Sequence, residues 1–140
     1  MYPERLIIEP TKRSPWIVLE QEKMFILGRS IIENPGDFFE PVHKWMSARA
    51  KEKTDKLIIN LSFDYVNTGS VKWLYILLRD MSEKTNMFEN ALINWYFEQG
   101  DDDMCELGFI LRSLVNCPFT IIEVDVMNQD LYRKLLQKES

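Results

Sequence analysis

The chain is expected to fold as an α/β (α+β) domain, a mixed β-sheet flanked by helices, and three observations carry that expectation. Short runs rich in β-branched and aromatic residues fill the segment up to Leu27. Beyond it, helical and strand-like periodicities alternate. Cap and turn residues mark the changeovers, Asn34-Pro35 and Asn67-Thr68-Gly69-Ser70 being the clearest.

Leu6-Ile7-Ile8 and Trp16-Ile17-Val18-Leu19 read as extended runs. Met24-Phe25-Ile26-Leu27 follows the charged turn Glu20 to Lys23 and makes a hairpin with the second run. Asn34 as N-cap and Pro35 in the first turn then start a helix. Phe38, Phe39, Val42, Trp45 and Met46 line one stripe of it, and it ends in the solvated run Arg49 to Lys56. Leu57, Ile59, Leu61, Phe63 and Tyr65 alternate in a strand whose first half is apolar on both sides, which marks it as central. The next helix buries Val71, Leu74, Tyr75, Leu78 and Met81. A strand follows at Ala91 to Phe97. A third helix starts at Asp101-Asp102-Asp103, buries Met104, Leu107, Leu111 and Leu114, and stops before Pro118. Phe119 to Val124 reads as the last strand, and Asn128 to Lys138 as a short helix with Leu131, Leu135 and Leu136 on one side. The domain is drawn at residues 1–126, with 127–140 as a C-terminal tail.

With 140 residues, 46% apolar and 28% charged, the chain is the size and composition of one globular domain. Its net charge of −5 and scattered lysines and arginines argue against nucleic acid as a partner. No apolar run follows the polar opening Met1 to Arg5, and none is long enough to span a membrane, so a cytoplasmic protein is expected. Cys105 and Cys117 are read as buried thiols in a reducing compartment. His43 is the one imidazole, too few for a Cys/His zinc site, and is placed on a solvated helix face. Glycine patterns that cradle phosphates are absent. The four tryptophans, Trp16, Trp45, Trp73 and Trp95, read as core. No catalytic residue and no cofactor is indicated.

Three segments remain as candidate sites. In Asn67-Thr68-Gly69-Ser70, a hydroxyl stands where a strand passes into a helix. Thr68 or Ser70 can cap that helix, or Thr68 can accept a phosphate beside its free N–H groups, where no carboxylate occupies the first turn and Lys72 is near. Asp101, Asp102 and Asp103, with Glu106, can hold a divalent ion, but they lack the spacing of an EF-hand. An acidic docking surface or a capping pair, Asp103 with Glu106, accounts for the same residues. In Gly28 to Pro35, Arg29 can read a carboxylate or phosphate, or form a salt bridge in a strand-to-helix loop.

In their order and spacing, Gly28-Arg29-Ser30, Glu33-Asn34-Pro35, Tyr65 to Ser70, Trp95-Tyr96-Phe97-Glu98 leading into Asp101 to Met104, Gly108 and Pro118-Phe119 resemble the SiaC family of regulatory phosphoproteins. The resemblance implies a STAS-like architecture of the anti-anti-sigma type. It also implies that Thr68 is phosphorylated by a Ser/Thr kinase and released by a metal-dependent phosphatase. The unphosphorylated form would bind and activate a GGDEF diguanylate cyclase, with cyclic di-GMP and biofilm formation as the output. Two departures stand out: Gly69 replaces a serine in the family's usual Asn-Thr-Ser-Ser turn, and Ile31-Ile32 replaces Tyr-Pro.

The resulting expectation is a non-catalytic switch at Thr68, with Asn67, Gly69, Ser70, Lys72, Arg29 and Asn34 on the partner face and Asp101 to Asp103 as an acidic docking candidate. The alternatives are a sensor of a small anionic ligand through Arg29 and a plain protein-interaction domain.

Overall fold

A computed structural model describes residues 4–51, 56–84 and 91–138. Six strands, β1 (Leu6–Ile8), β2 (Trp16–Leu19), β3 (Lys23–Ser30), β4 (Leu57–Val66), β5 (Ala91–Glu98) and β6 (Phe119–Val124), form one sheet in chain order. β2 runs antiparallel to both β1 and β3, and β3 to β6 run parallel. Helices α1 (Pro35–Ala50), α2 (Thr68–Lys84) and α3 (Asp102–Leu114) make the three crossovers, and α4 (Gln129–Lys138) ends the chain. The mixed sheet with flanking helices is the architecture that the alternating periodicities predict.

Because the parallel strands follow one another without reversal, α1, α2 and α3 fall on one face of the sheet. They cover Ile17, Met24, Ile26, Ile59, Leu61, Phe63, Ile93 and Trp95 with Phe39, Val42, Met46, Leu74, Leu78, Met81 and Leu111. Trp95 is fully buried, and its indole N–H donates to the Met104 carbonyl at 2.9 Å. Gly108 makes room for it: a Cβ there would lie 2.5 Å from Trp95 Cδ1. The opposite face is served by α4, whose Tyr132 packs with Met127 on Val18, Phe25 and Leu27. Burying Phe25 and Leu27 this way is worth roughly 2–3 kcal/mol each. β4 is central as expected, but its second face carries the buried polar residues Asn60 and Ser62. Asn60 accepts from Asn94 Nδ2, and Ser62 donates to the Met127 sulfur.

Several local expectations are corrected. Tyr65 does not continue the alternation of β4. A bulge puts Gly28 opposite Phe63 and Arg29 opposite Tyr65, leaving Asp64 as the extra residue, so Tyr65 turns outward and is exposed while Val66 faces the helices. Arg49 does not open a solvated run. It is buried and donates to the Gln21 carbonyl, tying α1 to the β2–β3 turn, and residues 52–55 of that run lie outside the described residues. His43 is half-buried rather than solvated. Its Nε2 meets Asp80 Oδ2 at 2.7 Å and so joins α1 to α2. Leu114 is exposed, and Leu77 is buried in addition to the α2 residues read from periodicity.

Candidate functional site at the start of helix α2

Each crossover leaves a parallel strand at its carboxyl end and enters a helix at its N-terminus. The starts of α1, α2 and α3, with Asn34, Thr68 and Asp101, therefore share one edge of the sheet. That edge is where open α/β sheets place their functional residues.

The turn into α2 is held by Asn67 rather than by a hydroxyl. Its N–H donates to the Ser30 carbonyl at 2.9 Å, and its Nδ2 donates to the Ile32 carbonyl at 3.1 Å. Its Oδ1 accepts from the Ser70 N–H at 2.9 Å, which is the side-chain cap of the helix. Ser70 is fully buried, and its hydroxyl lies 2.6 Å from that of Ser30. Neither Thr68 nor Ser70 caps the helix. Ser70 locks the turn from inside, and Thr68, the first residue of α2, is exposed, its hydroxyl making no hydrogen bond among the described residues.

Gly69 packs on Pro35 at the start of α1. A Cβ at this position would lie 3.0 Å from Pro35 Cγ, so a serine would press on the proline ring. The departure from the Asn-Thr-Ser-Ser pattern is therefore matched to close contact between two helix N-termini. The first turn of α2 holds no acidic residue, and Lys72, one turn beyond Thr68, is exposed. The positive end of the helix dipole at Thr68 is thus not offset by a carboxylate of its own turn.

Arg29 belongs to β3 and not to a loop. Its Nη2 lies 3.1 Å from Asp64 Oδ2, so the residue at the bulge is paired with the arginine across it. The hydrogen bond and the charge of Asp64 both hold the guanidinium more firmly protonated. Asn34 stands at the N-cap position of α1, but its side chain makes no capping bond; its carbonyl accepts from the Asp37 N–H at 3.2 Å. In the acidic run, Asp101 is the cap, its carboxylate accepting from the Met104 N–H at 3.1 Å, in place of the expected Asp103–Glu106 pair. Asp102 and Asp103 are exposed in the first turn.

Sequence reasoning missed an apolar patch on α3. Phe109, Ile110 and Leu114 are exposed, with the Arg112 guanidinium over the Phe109 ring at 4.8 Å. The signal was available. The buried stripe Met104, Gly108 and Leu111 leaves Phe109 and Ile110 on the other side of the helix, while Leu114, expected on the stripe, is exposed at the helix's last position. Apolar side chains clustered on a solvent face commonly mark contact sites.

The fold and this turn define the class of protein, a mixed α/β domain that presents an exposed hydroxyl at a helix start. The SiaC family model, described as a SiaC family regulatory phosphoprotein, matches residues 8–124, and the chain belongs to that family. Among solved structures, the chain is similar to SiaC of Pseudomonas aeruginosa, at 22% identity over 87% of this chain and 100% of that one, with a TM-score of 0.79. It is also similar to a chain in the crystal structure of the diguanylate cyclase SiaD in complex with its activator SiaC from Pseudomonas aeruginosa. There the identity is 23% over 85% of this chain and 99% of that one, with a TM-score of 0.78. No curated protein matches the chain. Among the described residues, no helix is long and apolar enough to cross a membrane.

Proposed function

We propose that the protein is a non-catalytic, cytoplasmic regulator switched by phosphorylation of Thr68. A Ser/Thr kinase adds the phosphate and a metal-dependent phosphatase removes it. The unphosphorylated form binds and activates a GGDEF diguanylate cyclase, raising cyclic di-GMP and favouring biofilm formation. The partner is suggested by the similarity to SiaC, which activates SiaD in the complex named above. The observation that carries the site is the division of labour in the α2 turn. Asn67 does the capping and Ser70 the locking, which leaves the Thr68 hydroxyl exposed and unengaged.

The switch is electrostatic. A phosphate adds about −1.5 to −2 charges to a protein that already carries −5. On the free protein that charge sits at the positive end of α2, close to Lys72, and is tolerated. Against a bound partner it is desolvated or faces acidic groups, which costs binding energy. A loss of about 2.7 kcal/mol weakens binding about a hundredfold. Thr68, Gly69, Lys72 and Asn34 form the contact edge, and Asp102 and Asp103 at the start of α3 extend it.

The test is binding and cyclase activation by wild type, Thr68→Ala and Thr68→Glu, with a GGDEF cyclase from the same genome. Wild type and Thr68→Ala should bind and activate it, and Thr68→Glu should bind at least about a hundredfold more weakly. Equal binding by all three would reduce Thr68 to an ordinary surface residue.

A further inference from the structure

We propose that the cleft between the β1–β2 connection, the β3/β4 bulge and the start of α4 binds a small anion through a phosphate or carboxylate group. This cleft, about 340 Å³, opens on the face of the sheet opposite α1, α2 and α3. Its size suits a small metabolite rather than a peptide. Lys12, Arg29, Asp64, Asn128, Gln129 and Tyr132 are among its lining residues.

Four features of the lining favour an anion. Lys12 has no ion-pair partner among the described residues, whereas Arg29 gives Nε and Nη2 to Asp64 and keeps Nη1 for another acceptor. The balance of Lys12, Arg29 and Asp64 is one positive charge, on a protein whose net charge is −5. Helix α4 starts at the cleft wall, with Asn128 capping the Leu131 N–H at 3.0 Å, so its positive end, offset in part by Asp130 of its first turn, lies beside the cations. Tyr132 is 3% exposed, and its buried hydroxyl has no hydrogen-bond partner among the described residues. A buried hydroxyl left unpaired is costly, so one at the wall of a polar cleft is a group for which a ligand can supply the missing acceptor.

The walls are built to hold their shape. Thr11 Oγ1 accepts from the Ser14 N–H at 3.0 Å and bonds the Ser14 hydroxyl at 2.6 Å, fixing the β1–β2 connection. Gly28, at φ +116°, lies against the Tyr132 ring in a conformation that other residues rarely adopt. The Met127 N–H donates to Glu98 Oε1 at 2.7 Å and pins the entry to α4. Residues Met127 to Tyr132 lie beyond the segment matched by the family model, which ends at 124, so this wall is supplied by the chain's own C-terminal segment. The proposal stands independently of the Thr68 switch.

The test titrates potassium phosphate and, separately, potassium succinate into the full chain at constant ionic strength. Backbone amide shifts of Lys12, Gly28, Arg29 and Gln129 are read by NMR, with potassium chloride as the control. At least one anion should shift these amides saturably. Saturation with phosphate alone assigns a phosphoryl ligand, and with succinate alone a carboxylate. Tyr132→Phe, which keeps the ring, should stay folded and bind at least fivefold more weakly. Lys12→Ala should weaken binding at least threefold, and Thr68→Ala should leave it unchanged. Shifts that never saturate, or that chloride reproduces, would overturn the proposal. Binding unchanged in both Tyr132→Phe and Lys12→Ala would do the same.

Discussion

The hydroxyls of Ser30 and Ser70 meet at 2.6 Å in the protein interior, joining the last residue of β3 to the first turn of α2. Neither side chain is exposed. The pair fastens the switch turn from beneath, while Asn67 fastens it with its backbone N–H and both ends of its side-chain amide. Thr68 is thereby presented on a support that does not depend on its own side chain.

Replacing Ser70 with Ala leaves the Ser30 hydroxyl buried without its partner and should cost about 1–3 kcal/mol. The double variant Ser30→Ala/Ser70→Ala should cost less than the sum of the single ones, because no orphan remains. Urea unfolding of the four proteins measures the coupling.

Asn67→Ala should cost about 1–2 kcal/mol, since it removes the cap of α2 and the bond to the Ile32 carbonyl together. Thr68→Glu should leave stability unchanged or raise it by up to about 1 kcal/mol, because it places a carboxylate at the positive end of a helix that has none. Urea midpoints for Thr68→Glu and Thr68→Ala separate an effect on folding from an effect on binding.

Gly108→Ala should destabilise the protein by about 1–3 kcal/mol through overpacking. The added carbon would lie 2.7 Å from Trp95 Nε1, in the same indole that bonds Met104. A change in tryptophan fluorescence should accompany the lower melting temperature, reporting displacement of Trp95.

Burial alone would raise the pKa of Asp80, but hydrogen bonds from His43 and Arg79, with their charges, outweigh it and hold the carboxyl below its ordinary range. The folded value is thus below the unfolded one. The stabilisation is complete above the unfolded value, about 3.9, and is lost as pH falls through the folded one. Asp80→Asn should flatten the acid limb of stability below about pH 4. Thermal melts of both proteins from neutral to acid pH measure it.

Much of the fold was legible in the sequence because its elements are strongly periodic. The alternation of Leu57 to Phe63 and the stripe of Phe39, Val42 and Met46 survive in the structure. What escaped depends on partners distant in the chain. The bulge at Gly28/Arg29 exists only in register with β4, and it alone turns Tyr65 outward. Arg49 and His43 look like surface residues until Gln21 and Asp80 are brought to them. At the candidate site the turn itself was legible, but its internal roles were not. Three neighbouring polar residues compete for one cap, and only the backbone path shows that Asn67 takes it. The C-terminal helix was visible in its leucines, but the buried hydroxyl of Tyr132 was not.

A sheet whose spatial order repeats its chain order can be laid down like courses of brick. After the opening hairpins, each strand–helix unit pairs with the edge left by the unit before it, and no later segment is threaded between strands already in place. Strand pairing therefore joins each strand to the next one in the chain, while α4 turns back to pack on β2 and β3. β1 and β6 remain as the outer strands. Each has an edge left unpaired by the described residues, and β1 is only three residues long, which limits what can add to the sheet on its side. The longer open edge is that of β6, where the last course was set.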